Sequence, residues 1–254
     1  MLTNHRHQEI MATLHGAGRV DVAKIAAELG VSEETIRRDM KLLETQGLLR
    51  RIYGGAVPPR LDQDRPLLER GKLNSREKAR VAQLAQPLVL DGMSLFIDSG
   101  TTTLALARSL AGRNITVTTN SINVALALGG GATRVSLTPG ALRSKDNALV
   151  GYETVAYARR FFFDIAFMGI SAVDIDHGWM DYEEHESVLR RTLKTQARKA
   201  VLLVDSRKFG RQANLYTFGL NEALTVVTDK RPPPAFMEVF TRYDIDLITS
   251  PAQR

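Results

Sequence analysis

The chain contains no cysteine, and this absence excludes several kinds of chemistry at once. It also has a single tryptophan in 254 residues, and no apolar run approaches the ~18 residues needed to cross a bilayer. Without thiols there are no disulfides, no cysteine-ligated zinc or iron–sulfur clusters and no thiol nucleophile. The first residues include His5, Arg6, His7 and Glu9 instead of the apolar core of a signal peptide. We therefore expect a soluble protein of a reducing cytoplasm that does not contact a membrane.

Positive charge is concentrated in one stretch of the chain. The formal net charge is +6, and residues 48–80 hold nine Lys and Arg against four Asp and Glu, so nearly the whole excess lies in this segment. A local excess of this kind is typical of a protein that binds an anionic partner. A solvated basic linker is the alternative explanation.

The first 58 residues predict three short helices followed by a hairpin. From Val22 onward, apolar residues recur at i, i+3, i+4 and i+7 after a suitable N-cap, Asp21. Gly30 ends that helix, because glycine enters the left-handed conformation without steric cost. Ser32 is a suitable N-cap for the next helix. Two short helices joined by a tight turn that contains glycine form a helix-turn-helix.

The second helix of this motif enters the DNA major groove by its N-terminal end. If Ile36, Met40 and Leu43 are buried, the opposite side of the helix carries arginines that can bridge guanine O6 and N7. The alternative is a surface helix with ordinary charges. The residues expected to face DNA are Ser32, Thr35, Arg37, Arg38 and Lys41 on the helix and Arg50 and Arg51 on the hairpin, or wing.

This N-terminal pattern resembles the DeoR family of bacterial transcriptional regulators. The resemblance rests on Val31–Met40 (VSEETIRRDM), Leu43-Glu44, Gly47 and Arg51–Ala56 (RIYGGA). It implies a winged helix-turn-helix in which Thr35, Arg37 and Arg38 face the operator.

Beyond a segment rich in proline and charge, the pattern changes to short apolar strands that alternate with helices. This alternation indicates βαβ units and a mostly parallel sheet in a Rossmann-like α/β domain. We expect a winged helix-turn-helix at residues 1–58, a basic linker at 59–73 and an α/β effector domain at 74–254. The predicted strands are 95–97, 115–118, 134–138, 165–168, 200–204, 224–228 and 245–249, and the predicted helices are 75–87, 102–111, 121–128, 151–162, 184–198 and 234–242.

Polar residues follow several of these strands at the point where each strand ends. In an open α/β sheet, ligands bind beyond the carboxyl ends of the strands. Hydroxyls and the amides of a helix start suit a phosphate, and carboxylates suit sugar hydroxyls. We therefore expect a phosphorylated small molecule bound by Asp98, Ser99, Gly100, Thr101, Thr102, Thr103, Asn120, Gly140, Arg143, Gly169, Asp176, Glu186 and Lys208.

The resemblance to the DeoR family continues through this region and covers nearly the whole chain. Sensor domains of that family are similar in fold to ribose-5-phosphate isomerase and bind sugar phosphates as inducers. The resemblance thus implies a repressor that a phosphorylated sugar or polyol releases from its operator. Several segments look especially like the branch that controls the glycerol-3-phosphate regulon, which makes glycerol 3-phosphate the first expected effector: Asp181-Tyr182, His185-Glu186, Lys208–Arg211 and Pro232–Pro234.

Two positions depart from the family pattern. Pro139 stands where the family usually has glycine, and Arg190 stands where it usually has lysine. Arginine keeps the positive charge and can bind a phosphate through two hydrogen bonds, so we add Arg190 to the expected effector-binding residues.

A sugar-phosphate isomerase-like enzyme is the main alternative, with Glu186 and Lys208 as general base and electrophile. Residues 1–58, which an isomerase does not need, favour the regulator. A nucleic-acid binder without an effector would leave the polar strand ends unexplained. The spacing of His177 and His185 matches no known metal site. We expect no catalytic residue, no metal and no cofactor, and a dimer or larger homo-oligomer bound to double-stranded operator DNA.

Overall fold

The computed structural model of the chain describes residues 3–45, 48–58, 71, 73–222 and 225–250. They belong to two units, Met1–Gln63 and Asp64–Arg254. Most of the linker expected at 59–73 lies outside the described residues, and so does Gly47, one of the residues that carry the family resemblance. The domain boundaries therefore stay a prediction.

In the first unit, short helices and a small antiparallel sheet surround an apolar core. Ile36, Met40 and Leu43 are all buried in this core, as the helical spacing predicted, and Ile10 and Leu14 pack beside them. The strand order is β1-β3-β2. The elements are α1 (Thr3–Ala17), β1 (Val20–Asp21), α2 (Val22–Leu29), α3 (Glu33–Thr45), β2 (Arg50–Ile52) and β3 (Gly55–Val57).

Local chemistry sets the boundaries of the helix-turn-helix. The Asp21 side chain accepts a hydrogen bond from the backbone N of Lys24 at 3.0 Å and so caps α2. Gly30 follows α2 with φ 64°, a left-handed conformation. The Ser32 hydroxyl oxygen accepts from the backbone N of Thr35 at 3.2 Å at the start of α3. These two hydrogen bonds and the conformation of Gly30 confirm the predicted caps and the predicted turn.

The wing is held against the helices by a backbone contact that only glycine permits. A Cβ atom on Gly55 would lie 2.0 Å from the carbonyl oxygen of Val20, so a side chain there would separate β3 from β1. Beside it, the backbone N of Val22 donates to the carbonyl oxygen of Gly54 at 2.9 Å. The direction of the wing therefore depends on the backbone of β1 and β3.

In the described part of the second unit, seven strands form a parallel sheet with helices on both faces. Two apolar cores result, one against helices from the first half of the unit and one against helices from the second half. The order is β15-β14-β12-β9-β4-β5-β6. The strands are β4 (Ser94–Ile97), β5 (Thr116–Thr119), β6 (Arg134–Leu137), β9 (Phe163–Met168), β12 (Ala197–Val204), β14 (Thr225–Thr228) and β15 (Asp246–Thr249).

The helices of this unit are close to those predicted, but two of them end early. The helix expected over 151–162 ends at Ala158 because Phe163 begins a buried strand, and the helix expected over 184–198 ends at Thr195 because Ala197 begins another. No helix in the described part of the chain is both long and apolar enough to span a membrane. The helices are α4 (Ser75–Ala85), α5 (Thr101–Leu110), α6 (Ile122–Leu128), α7 (Tyr152–Ala158), α8 (Glu184–Thr195) and α9 (Pro234–Arg242).

Short antiparallel strands that the sequence did not predict form two further small sheets in this unit. One pair forms a hairpin after β6, and a further group forms a small sheet in the order β10-β11-β13. Trp179, on β11, is fully buried in the core and stacks on Phe240 at 5.9 Å between ring centroids. The added strands are β7 (Ala141–Arg143), β8 (Ala148–Val150), β10 (Ala172–Asp174), β11 (Gly178–Asp181) and β13 (Leu215–Phe218).

Candidate functional site

The N-terminal end of α3 presents exposed polar side chains. The Arg38 side chain is 80% exposed, and its Nε lies 3.5 Å from Glu34 Oε1. Arg37 Nη2 contacts Glu33 Oε2 at 2.5 Å, also on the surface. Exposed pairs of this kind contribute only ~0.3–0.5 kcal/mol, so a stronger anionic partner can displace the glutamates. This end of α3 can therefore bind a nucleic acid without a change in the fold of the unit.

The two wing arginines differ in their surroundings. Arg51 donates from Nε to Glu44 Oε2 at 2.7 Å and from its backbone N to Oε1 at 2.8 Å, which ties the wing to the end of α3. Arg50 is exposed one residue earlier. Arg51 thus positions the wing, while Arg50 faces solvent.

Tyr53 is a candidate that the sequence analysis overlooked. It lies at the tip of the wing, immediately before Gly54, and its exposure is 101% of the reference value. The signal that reveals it is an aromatic residue placed directly before a Gly-Gly turn in a basic hairpin. An aromatic ring so exposed, with a hydroxyl at its end, is suited to contact a sugar or a phosphate.

The opposite side of α3 is fixed by a buried charge. Asp39 accepts from Arg6 Nε at 2.7 Å and Nη2 at 3.2 Å, and it lies 3.1 Å from His7 Nε2. Burial alone would raise the pKa of this carboxyl, but the hydrogen bonds from Arg6 and His7 outweigh burial and hold the pKa below its usual range. These contacts fasten α1 to α3 and orient the exposed helix face.

In the second unit, three neighbouring strand ends bring the predicted polar loops together. Asp98 follows β4 and is fully buried. The backbone N of Ser99 donates to Asp98 Oδ1 at 2.7 Å and to Asn120 Oδ1 at 2.9 Å, and Asn120 follows β5. Gly169 follows β9, on the other side of β4. Asn120 therefore shapes the loop that leads from Asp98 to α5.

The start of α5 is suited to an anion. Gly100 precedes it with φ 151° and ψ 163°, a conformation that glycine adopts and residues with a side chain rarely do. Thr103 Oγ1 donates to the Gly100 carbonyl at 3.0 Å. The first amides of a helix lack partners within the helix and lie at the positive end of its dipole. Thr101 and Thr102 add hydroxyls to this turn.

Arg190, on α8, is enclosed by three carboxylates. Its Nε donates to Asp98 Oδ2 at 2.7 Å, and its Nη1 donates to Asp181 Oδ1 and lies 3.3 Å from Glu186 Oε2. Burial alone would lower the pKa of the guanidinium, but the charges of the three acids hold it well above its ordinary value. Its Nη2 lies 3.8 Å from the place that a Cβ on Gly169 would occupy. Arg190 is thus a shared counter-ion, and its contact with phosphate stays a prediction.

The pKa of Asp98 is shifted in the opposite direction from that of Asp39. Complete burial raises it, and the negative charge of Glu186 adds to this effect, while Arg190 opposes it. Asp98, Asp181 and Glu186 gather around Arg190, and carboxylates accept hydrogen bonds from hydroxyl groups but repel a phosphate. This part of the site suits the hydroxyls of a ligand better than its phosphate.

The β7–β8 hairpin contributes a second arginine to the same group. Arg143 Nη2 donates to Glu186 Oε1 and to Asp146 Oδ2, while the buried Nη1 makes no hydrogen bond among the described residues and lies 3.7 Å from Glu183 Oε2. Burial would lower the pKa of Arg143, but Asp146 and Glu186 hold it above its ordinary value. A buried N–H that makes no hydrogen bond is a position at which a ligand acceptor gains free energy.

The remaining predicted residues lie around this group or away from it. Gly140 permits the hairpin to close, because a Cβ there would lie 2.3 Å from Thr154 Oγ1. Lys208 ends a short 3-10 turn after β12. Asp176 lies in the turn between β10 and β11 and lines a different cavity, of about 660 Å³, together with Tyr216. The structure therefore does not bring Asp176 to the strand-end site.

Asp181 is a candidate site residue that the strand-end argument missed. It is fully buried and accepts from Ser171 N at 3.1 Å and Thr217 Oγ1 at 2.8 Å, in addition to Arg190. Like Asp98 it is a carboxylate at the end of a strand, but its strand, β11, was not predicted and belongs to the small antiparallel sheet, to which the rule for parallel strand ends does not apply.

Comparison with known proteins gives matches for both units. Residues 6–60 match the family described as DeoR-like helix-turn-helix domain, and residues 73–230 match the DeoR C terminal sensor domain. The glycerol-3-phosphate regulon repressor of Escherichia coli (strain K12) is 33% identical over 249 residues, which cover 97% of this chain and 99% of that protein. The lactose phosphotransferase system repressor of Lactococcus lactis subsp. lactis is 34% identical over 251 residues, 96% of this chain and 97% of that protein.

Among solved structures, ribose 5-phosphate isomerase A from Methanocaldococcus jannaschii aligns with 54% of this chain and 55% of its own. The sequence identity is 19% and the TM-score 0.40, which is too weak a similarity to bear on function.

Proposed function

The chain belongs to the DeoR family and is a DNA-binding repressor of carbohydrate or glycerol-phosphate genes, and from this premise we propose that a phosphorylated sugar or polyol releases it from its operator. The observation that carries the proposal is the presence of both family domains in one chain, at residues 6–60 and 73–230. A DNA-binding unit and a sensor unit joined covalently are the minimum needed for such a switch.

For DNA, the proposed interface is the N-terminal end of α3 together with the wing. Arg38 and Thr35 are directed to base edges, and Ser32, Arg37 and Lys41 to the backbone. Arg50 and Tyr53 extend the contact from the wing, whose position Arg51 maintains. We further infer a homo-oligomer that binds paired half-sites, as helix-turn-helix proteins commonly do.

For the effector, glycerol 3-phosphate is our first candidate, because the E. coli and Haemophilus influenzae relatives are named glycerol-3-phosphate regulon repressors. We place its phosphate at the first turn of α5, residues 101–103, near Lys208. Its hydroxyls lie toward Asp98 and Glu186, where carboxylates outnumber arginines. Arg143 adds a cation between the two parts of the ligand.

The enzyme alternative has less support. The curated relatives named above are repressors, and Glu186, the residue proposed as general base, is already paired with Arg143 and Arg190.

The test uses the full chain and a fluorescent duplex selected by it from a random pool. Glycerol 3-phosphate is expected to lower DNA affinity, whereas glycerol or inorganic phosphate alone is not. Lys208→Ala is expected to bind the duplex normally but to need at least ~10-fold more ligand, since a charge-assisted phosphate contact is lost. Lys199→Ala, which removes a partly exposed lysine near the amino end of β12, away from the strand-end site, is the matched control. Release of Lys208→Ala at the wild-type concentration would show that the pocket is wrongly assigned.

A further inference from the structure

The turn that precedes α4, the first helix of the second unit among the described residues, is hydrogen-bonded to the carboxyl edge of the sheet. Asn74 precedes α4 in the left-handed conformation, with φ 55°. Its Nδ2 donates to Asp205 Oδ1 at 3.1 Å. In the first turn of α4, Lys78 is buried and its Nζ donates to the carbonyl oxygen of Leu73 at 2.8 Å. The first residues of the unit are therefore fixed to the end of β12.

A second contact joins the same two segments. Arg207 Nη2 lies 3.4 Å from Glu77 Oε1 on α4. Arg207 lies in the turn Asp205–Lys208, in which the backbone N of Lys208 donates to the Asp205 carbonyl at 2.9 Å. Lys208 is also the cation that we propose for the effector phosphate. One short turn thus carries both the attachment of α4 and part of the effector site.

Asp205 has a second carboxyl oxygen that makes no hydrogen bond. Its Oδ2 is buried and has no hydrogen-bond partner among the described residues, which is unfavourable, so a small movement of the turn that brings a donor to Oδ2 gains free energy. Asp205 follows β12, which is separated from β4 by β9 alone, so it lies about 10 Å from the Asp98 end of the site at ~4.8 Å per strand. A ligand whose hydroxyls lie toward Asp98 therefore reaches this turn through the phosphate that we assign to Lys208.

We propose that Asn74 is a positioning residue. Its hydrogen bond to Asp205 couples binding of the effector to the conformation of the turn that precedes α4. A ligand that engages Lys208 moves the turn that contains Asp205, and Asn74 moves with it. In the sequence Asn74 lies between the DNA-binding unit and α4, and release from DNA is the readout of its role. The proposal rests on the effector response proposed above.

Asn74→Gly is the sharpest test, because glycine adopts the left-handed backbone without strain while the amide is removed. Asp244→Gly is the matched control: Asp244 is also left-handed, with φ 52°, but is exposed at the amino end of β15. In the full chain, duplex affinity is measured with and without saturating glycerol 3-phosphate, and affinity for glycerol 3-phosphate is measured separately by calorimetry.

Asn74→Gly is expected to keep both separate affinities within about twofold, while the release factor falls about tenfold from a wild-type value on the order of 100. Asp244→Gly keeps the full factor. Arg207→Ala, a surface change that leaves Asn74 in place, is expected to lose about threefold, which provides a second variant if Asn74→Gly folds poorly.

The outcomes separate the two proposals. A wild-type chain that binds DNA but does not respond to glycerol 3-phosphate or to other sugar phosphates overturns the proposed effector response, and this inference with it. A responsive wild type with an equally responsive Asn74→Gly overturns only the role of Asn74. A loss of ligand affinity in proportion to the lost response would place Asn74 in ligand binding and would also overturn it.

Discussion

Each unit buries an aspartate, and the surroundings of the two shift their pKa values in opposite directions. Asp39 in the first unit receives two hydrogen bonds from Arg6 and a contact from His7, and its pKa is lowered. Asp98 in the second unit shares Arg190 with two other acids, and its pKa is raised. A buried charge that is fully compensated stabilises a fold. A buried charge that is under-compensated is typical of a binding site.

The largest test of this contrast is to remove each carboxylate charge in turn. Asp39→Asn is expected to lower the free energy of unfolding of the first unit by about 2–3 kcal/mol, because Arg6 and His7 lose a charged acceptor. Asp98→Asn is expected to cost less than about 1 kcal/mol, since Arg190 keeps Asp181 and Glu186. Hydrogen exchange of the amides of α3 and β4 reports the two units separately. Equal losses of unfolding free energy in the two variants would contradict the proposed difference between Asp39 and Asp98.

A second test compares an exposed arginine of the first unit with an exposed arginine of the second. Arg38→Ala is expected to weaken duplex binding by about 2 kcal/mol, roughly 30-fold, and to relax base preference, because a two-bond contact with guanine is lost. Binding of glycerol 3-phosphate by the second unit stays unchanged. Anisotropy titrations with single-base variants of the selected duplex measure both effects. Arg198→Ala, an exposed arginine of the second unit, serves as the control, and an unchanged preference in Arg38→Ala would exclude the assigned role.

A fall in pH is expected to change the stability contributed by Asp39 and by Asp98 in opposite directions. The stability that Asp39 contributes is present above the unfolded carboxyl pKa, near 4, and is lost as the pH falls through its lowered folded pKa. Asp98 binds a proton more readily when folded, so the cost of its burial is relieved as the pH falls through its raised pKa. Acidification therefore reduces amide protection in α3 more than in β4. The difference disappears in Asp39→Asn, and its persistence there would contradict this explanation.

The smallest expected effect concerns the wing. Tyr53→Ala is expected to lower duplex affinity by about 1 kcal/mol, close to the net value of one hydrogen bond, without a change in base preference. Tyr243→Ala, on the surface of the second unit, is the matched control. A Tyr53→Ala chain with wild-type affinity at several salt concentrations would place the ring outside the interface.

The two units also differ in how far the sequence predicts them. In the first unit the caps at Asp21 and Ser32 are local contacts, made within three residues along the chain. In the second unit, apolar runs predict the central strands, but the contact of Arg190 with Asp98 joins residues 92 positions apart. Its contact with Asp181 needs β11, whose four residues are all buried, so the alternation that marks a strand is absent. The polar loop after β4 was predictable, whereas the acids that share Arg190 were not recognised as one group.

Because Gly55 lies close to the Val20 carbonyl, side chains that set operator preference can be substituted without a change in the geometry of the wing. The hairpin is oriented by main-chain atoms and by the contact of Arg51 with Glu44 at the far end of α3, so outward positions near the start of that helix, Thr35 and Arg38 among them, can be randomised while Glu44 is kept. Every member of such a library keeps the same scaffold. Retargeting this repressor to a new promoter therefore becomes a search over a few surface side chains.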